Sequence, residues 1–185
     1  MDTSALLAVI DDLLAEPFPP TRTHRRPGGR SGPDFHLVDL ARTQWLDNRD
    51  EVENAWHVFE ADLAVLVTAL CRRWGADRVL LLGPVLDRVM SGAGVPEVLD
   101  VLSAFVVTAQ VRDMGDRWVG AGVGQDDQET PVRLIAAVGP APLPSRWFLP
   151  RPIKRSSTST CGTTCTFHPA ATAAAKCSGS TSLPS

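Results

Sequence analysis

The sequence predicts an α+β fold: a long amphipathic helix packed on a small antiparallel three-stranded meander, with short flanking helices and a disordered C-terminal tail. Three observations carry it. One stretch keeps a helical period from Asn48 to Gly75, three strand-like runs follow one another between residues 104 and 138 with short spacings, and the composition changes abruptly after Gly139.

The long stretch places Val52, Trp56, Phe59, Leu63, Leu66 and Leu70 at alternating steps of four and three, with Trp74 one turn later, on one stripe of an α-helix. Asn48 suits the N-cap, with Glu51 three residues on and Asp50 beside it at the positive end of the helix dipole. Arg72 and Arg73 fill the last turn and Gly75 suits a left-handed stop. Each large stripe residue, once buried, contributes on the order of 1.5–3 kcal/mol. About three heptads are present without heptad-like flanks, so the stripe belongs to an intramolecular core rather than a coiled coil.

Four segments are expected. Residues 1–16 hold a short amphipathic helix with Leu6, Ile10 and Leu13 on one face; its acidic polar residues argue against a membrane-surface role. Residues 17–34 are rich in proline, glycine and arginine and read as a linker. Residues 35–139 form the α+β domain. Within it Phe35–Leu46 is balanced between strand and helix and leans to a short strand, and Arg78–Leu82 reads as a buried strand. Pro84 can open a helix through Met90, and Pro96 another short turn through Leu99 and Leu102. Ala104–Arg112, Arg117–Gln125 and Val132–Val138 form the meander. Residues 140–185 are punctuated by proline and then almost wholly Ser, Thr, Ala, Gly and Cys, too poor in apolar side chains to offset ordering entropy. The switch is abrupt enough to suggest a shifted or read-through frame.

Residues 1–129 carry 12 Lys/Arg against 21 Asp/Glu, and residues 130–185 carry six bases and no acid. An acidic body with a basic end is a poor match to a dedicated nucleic-acid binder, whose basic residues cluster on a folded face. No basic n-region follows Met1, Asp11-Asp12 interrupts the first apolar run, and no segment has the ~20 apolar residues of a bilayer span, so a cytoplasmic location without membrane contact is expected.

Few chemical candidates emerge. Gly120, Gly122 and Gly124 form G-x-G-x-G inside a strand rather than in a strand-to-helix turn, so packing space explains them better than a dinucleotide; room for Trp56 is the expected use. Asp126, Asp127 and Glu129 make an acidic loop that could hold a ligand or divalent cation, without EF-hand spacing. Arg22, Arg25, Arg26 and Arg30 could touch phosphates. Cys161, Cys165, His168 and Cys177 have the ligand types for zinc, in a spacing that matches no usual knuckle. Cys71 sits on the long helix as a small core residue, and His57 is placed to pair with Glu53 or Glu60. No nucleophile elbow, zincin, C-x-x-C or phosphate-loop motif occurs, and no cofactor is implied.

With RWG at 73–75, VPE at 95–97 and RWVGAGVGQDDQETPVRLIAAV at 117–138, roughly residues 45–139 resemble a group of uncharacterised small soluble proteins of high-GC actinobacteria. The resemblance implies a source and no activity. A non-enzymatic cytoplasmic protein-interaction domain, with an unidentified protein partner or as a homo-oligomer, is therefore the expected function. A small ligand- or metal-binding enzyme using the acidic 126–129 loop, and an accessory nucleic-acid-binding protein, are the alternatives.

Overall fold

The computed structural model describes residues 2–149 apart from 26, 27, 47, 128 and 129. Its centre is a sheet of seven strands, all paired antiparallel, in the order β1-β2-β3-β7-β6-β5-β4. The strands are β1 (Thr23–His24), β2 (Gly29–Gly32), β3 (Phe35–Arg42), β4 (Arg78–Leu81), β5 (Thr108–Asp113), β6 (Arg117–Gly124) and β7 (Arg133–Pro140). This corrects the three-stranded expectation. The run β5-β6-β7 is only the middle of a larger sheet, extended by β4 on one side and by the β3-β2-β1 hairpins on the other.

The long helix α2 (Arg49–Trp74) explains how that happens. Asn48 Oδ1 accepts from the Glu51 N–H at 2.8 Å to start it, and Gly75, at φ 86°, ends it. Between those caps the helix carries the chain from β3 across the sheet to the far edge, where β4 begins. The strands that follow then fill inward until β7 pairs with β3, from His36↔Val138 to Arg42↔Arg133.

Both faces of the sheet are covered. On one lie α1 (Thr3–Ala15) and α2, packing Leu6, Ile10, Leu13, Leu63, Leu66 and Leu70 against Val119, Ala121, Leu134, Ala136 and Val138. Val52, Trp56, Phe59 and Trp74 of the helical stripe are partly buried on the same core. On the other face lie α3 (Gly83–Met90), α4 (Glu97–Ser103) and the segment from Leu143 to Phe148, around Leu80, Leu99, Leu102, Trp118, Ile135 and Ala137. Strands buried on two faces lose polar-apolar alternation, which is why β6 and β7 read as nearly unbroken apolar runs.

The β6 glycines point away from α2, so they do not make room for Trp56. A Cβ at Gly124 would come within 2.6 Å of the Phe105 carbonyl oxygen, so this face of β6 is cleared for the chain entering β5. At Gly139 a Cβ would stand 2.7 Å from the Trp118 ring, which lies flush on β7 there.

Two further corrections concern segments expected to lie outside the fold. The 17–34 stretch contributes β1 and β2, because a hairpin edge needs backbone pairing more than apolar side chains. The start of the 140–185 segment is part of the core: Leu143, Trp147 and Phe148 are buried, Ser145–Trp147 forms a 3₁₀ turn, and Phe148 bridges Leu80 at the outer edge of β4. The remainder of the expected tail, residues 150–185, lies outside the described residues.

Candidate functional site

The acidic loop is held by an arginine. Arg133, on the α4 face of β7, donates from Nη2 to Asp126 Oδ2 at 2.7 Å, and its guanidinium lies 4.4 Å over the Phe105 ring. Its Nη1 stands 3.8 Å from Oδ1 of Asp39, a β3 carboxylate only 7% exposed. The cation between these two carboxylates is therefore Arg133. Asp127 belongs to a local turn: its N–H donates to Thr130 Oγ1 at 3.0 Å, and its carbonyl accepts from Thr130. Glu129 lies outside the described residues. Among those residues no group of three or more His, Cys, Asp or Glu side chains is placed to hold a metal.

Asp39 is the unexpected member. Its Oδ1 is buried without a hydrogen-bond partner, and Gly28 packs directly against Oδ2. Burial pushes its carboxyl above the ordinary range, against the pull of Arg133, Arg42 and Arg30.

The arginines proposed for phosphate contact do not form one surface. Arg22 is ion-paired with Glu97 at the start of α4. Arg25 turns inward, its fork closing on Glu16 at 2.9 and 2.6 Å. Arg30 is exposed on β2, and Arg26 lies outside the described residues. Cys161, Cys165, His168 and Cys177 also lie outside them, as does any zinc site they would form.

Arg25 leads to a second buried polar group that the sequence reading missed. His36 on β3 has no exposed surface, and its Nδ1 lies 2.8 Å from Ser31 Oγ while its Nε2 lies 3.2 Å from the Glu16 carbonyl. The carbonyl requires a proton on Nε2, so Nδ1 accepts from the serine. Arg25 Nη1 donates to the same Ser31 Oγ at 3.0 Å, which closes a ring Glu16–Arg25–Ser31–His36–Glu16. Phe18 tilts against the imidazole at 4.9 Å, and Arg117 stacks on Phe18 while donating to the carbonyls of Leu13, Leu14 and Glu16. Burial pushes the His36 ring below its ordinary value, while the Arg25 hydrogen bond holds the Glu16 carboxyl low. The clue was present in FHLVDL, where one histidine and one aspartate interrupt an apolar run.

The ring resembles a Ser-His-acid constellation only in composition. Ser31 is 1% exposed, its hydroxyl is committed to His36, and Arg25 rather than the imidazole touches the Glu16 carboxylate. Cys71 is likewise engaged: Arg112 donates to its Sγ at 2.7 Å, the thiol faces Asp77, and burial pushes it above the usual thiol range. That disfavours a nucleophilic thiolate. A cavity under α4, lined by Leu102, Val106, Trp118 and Ile135, has a volume of about 10 Å³, room for roughly one water.

The two most exposed large apolar side chains lie near the β4 edge of the sheet, whereas Trp45, Val58 and Val65 are exposed singly before and along α2. Met90 is 79% exposed and Val107 71%, with Leu149 and Leu86 less so. Leu82 ties them together: its N–H donates to the Val107 carbonyl at 3.0 Å and its carbonyl accepts from Leu86 at 2.9 Å, with Met90 one turn further along α3. Leu86, Met90 and Val107 thus flank the corner where β4 runs into α3, while Leu149, whose N–H donates to the Val79 carbonyl, lies further back along β4.

No protein-family model, curated protein or solved structure matches the chain. No helix among the described residues is long and apolar enough to cross a membrane.

Proposed function

We propose that the chain is a non-enzymatic, cytoplasmic protein-interaction domain whose contact surface is the β4–α3 corner. The observation that carries this is the placement of Leu86, Met90 and Val107 about the Leu82 peptide, with Met90 and Val107 mostly in water. Apolar side chains scattered singly over a surface need no explanation, but a cluster at one corner marks a place where another surface can exclude water. The polar clusters favour the same reading, since Asp126, Arg25, Ser31 and Cys71 are all occupied by neighbours within the chain.

The test is a photo-crosslinking amino acid placed at position 107 or 90 of the full chain in cells, beside the same probe at Val65, which is exposed on α2. A discrete adduct is expected from the corner and none from position 65. Light scattering on the purified chain decides whether the adduct contains a second copy. Equal labelling at both places, or none at the corner, overturns the proposal.

A further inference from the structure

The smallest strand of the sheet lies at its edge and is held chiefly from inside. β1 has two residues, paired as Thr23↔Ser31 and His24↔Arg30, and the Arg25 N–H adds one bond to the Gly29 carbonyl. A pairing this short does not persist on backbone hydrogen bonds alone. What anchors it is the Arg25 side chain, which passes inward to grip Glu16 with its fork and Ser31 with Nη1. At the far end of that grip sits His36, whose Nδ1 is 3.4 Å from Arg25 Nη1.

In the neutral ring described above every polar atom has a complement. A second proton on His36 would add an N–H at Nδ1, aimed at Ser31 Oγ, which already accepts from Arg25 and would have to give up its own donation. It would also put two cations 3.4 Å apart in a partly buried place, with Arg117 as a third on the Phe18 side. The charged groups facing the imidazole are Arg25 from beyond β1, Glu16 from the end of α1 and Arg117 from β6, with Ser31 of β2 and the Phe18 ring completing the shell. Glu16 offsets one positive charge, and Arg25 already uses both oxygens of that carboxylate.

We infer that His36 is an acid-sensitive clasp for the edge of the sheet: its protonation expels the Arg25 side chain, frees β1, and opens the outer edge of β2 to strand addition. Burial of the ring places the change on the acid side of its ordinary value of about 6.5. An uncovered β2 edge is a row of unpaired backbone groups, the usual template for an incoming strand. The device is independent of the β4–α3 corner, which lies at the other end of the sheet.

The experiment is amide hydrogen exchange by NMR on the full chain from pH 7.5 to 5.0, corrected for intrinsic rates. Protection of the Arg25 amide and of β1 is expected to fall at least about tenfold, while β6 and β7 keep theirs, with a midpoint shared by the His36 ring resonance. In His36→Gln, which retains a donor toward the Glu16 carbonyl and does not titrate, β1 protection is expected to be flat. Arg25→Gln is expected to show the acid-state exchange already at pH 7.5, which keeps the idea testable should His36→Gln fold poorly. Unchanged β1 protection across the range overturns the clasp. So does a loss shared equally by β6 and β7, or an Arg25→Gln variant whose β1 is as protected as in the parent chain.

Discussion

His36 and Asp39 stand three residues apart on β3, on opposite faces of the sheet, and both are nearly sealed from water. On the α1 side the imidazole meets a hydroxyl and a carbonyl, each at hydrogen-bond distance. On the α4 side the carboxylate has one oxygen with no hydrogen-bond partner and an arginine only at 3.8 Å. A buried polar group is stabilising or costly according to its partners, and here one strand carries both outcomes. His36 locks segments together; Asp39 is tolerated because Arg133 is near.

The sharpest way to break this contrast is Arg133→Ala. It takes from Asp39 its nearest cation, leaving only the weaker pull of Arg42 and Arg30, removes the tether of Asp126 and bares the Phe105 ring, so a loss of about 3 kcal/mol is expected in denaturant titration. In an Asp39→Asn background the same substitution should cost clearly less, and a double-mutant cycle measures the difference. Equal costs in the two backgrounds would mean the pair does not interact.

His36→Leu comes next, at about 2 kcal/mol, because Ser31 Oγ keeps Arg25 and the Glu16 carbonyl keeps Arg117 while each loses one partner. The smallest effect has the opposite sign. Asp39→Asn should stabilise slightly at pH 7, since the fold holds that carboxyl above its ordinary pKa and so disfavours the ionised form. A destabilisation would show that Arg133 contributes more than burial costs.

The pH dependence separates the two sites further. His36 is held low, so the unfolded chain takes up the proton first, and stability falls as pH drops below about 6.5. Glu16, also held low, adds a loss that begins near pH 4.5. Asp39, held high, works against both, its stabilisation being lost as pH rises above about 3.8. Urea melts at a series of pH values should therefore show a flatter acid limb for His36→Gln and a steeper one for Asp39→Asn.

The elements governed by local rules were legible in the sequence. The caps of α2 at Asn48 and Gly75 follow from side-chain and backbone chemistry within a few residues, and Pro84 marks the first turn of α3. The extent of the sheet was not, because alternation is a one-face signal and β6 and β7 are covered twice. Gly29–Gly32 hid a strand behind glycine and arginine, and Leu143, Trp147 and Phe148 hid core residues behind proline. Of the candidate sites, Asp126 was named without its partner Arg133, seven residues on. The His36 ring joins residues from positions 16 to 36 through a hairpin that could not be foreseen, so its chemistry was out of reach.

The inward filling of the sheet has a consequence for synthesis on the ribosome. Until Arg133–Pro140 emerges, β3 and β6 face each other across a missing strand, each with an unpaired flank, and neither apolar layer can close. The nascent chain thus carries two adhesive edges for most of its translation, and its vulnerability to misassociation ends only when the keystone strand slides between them.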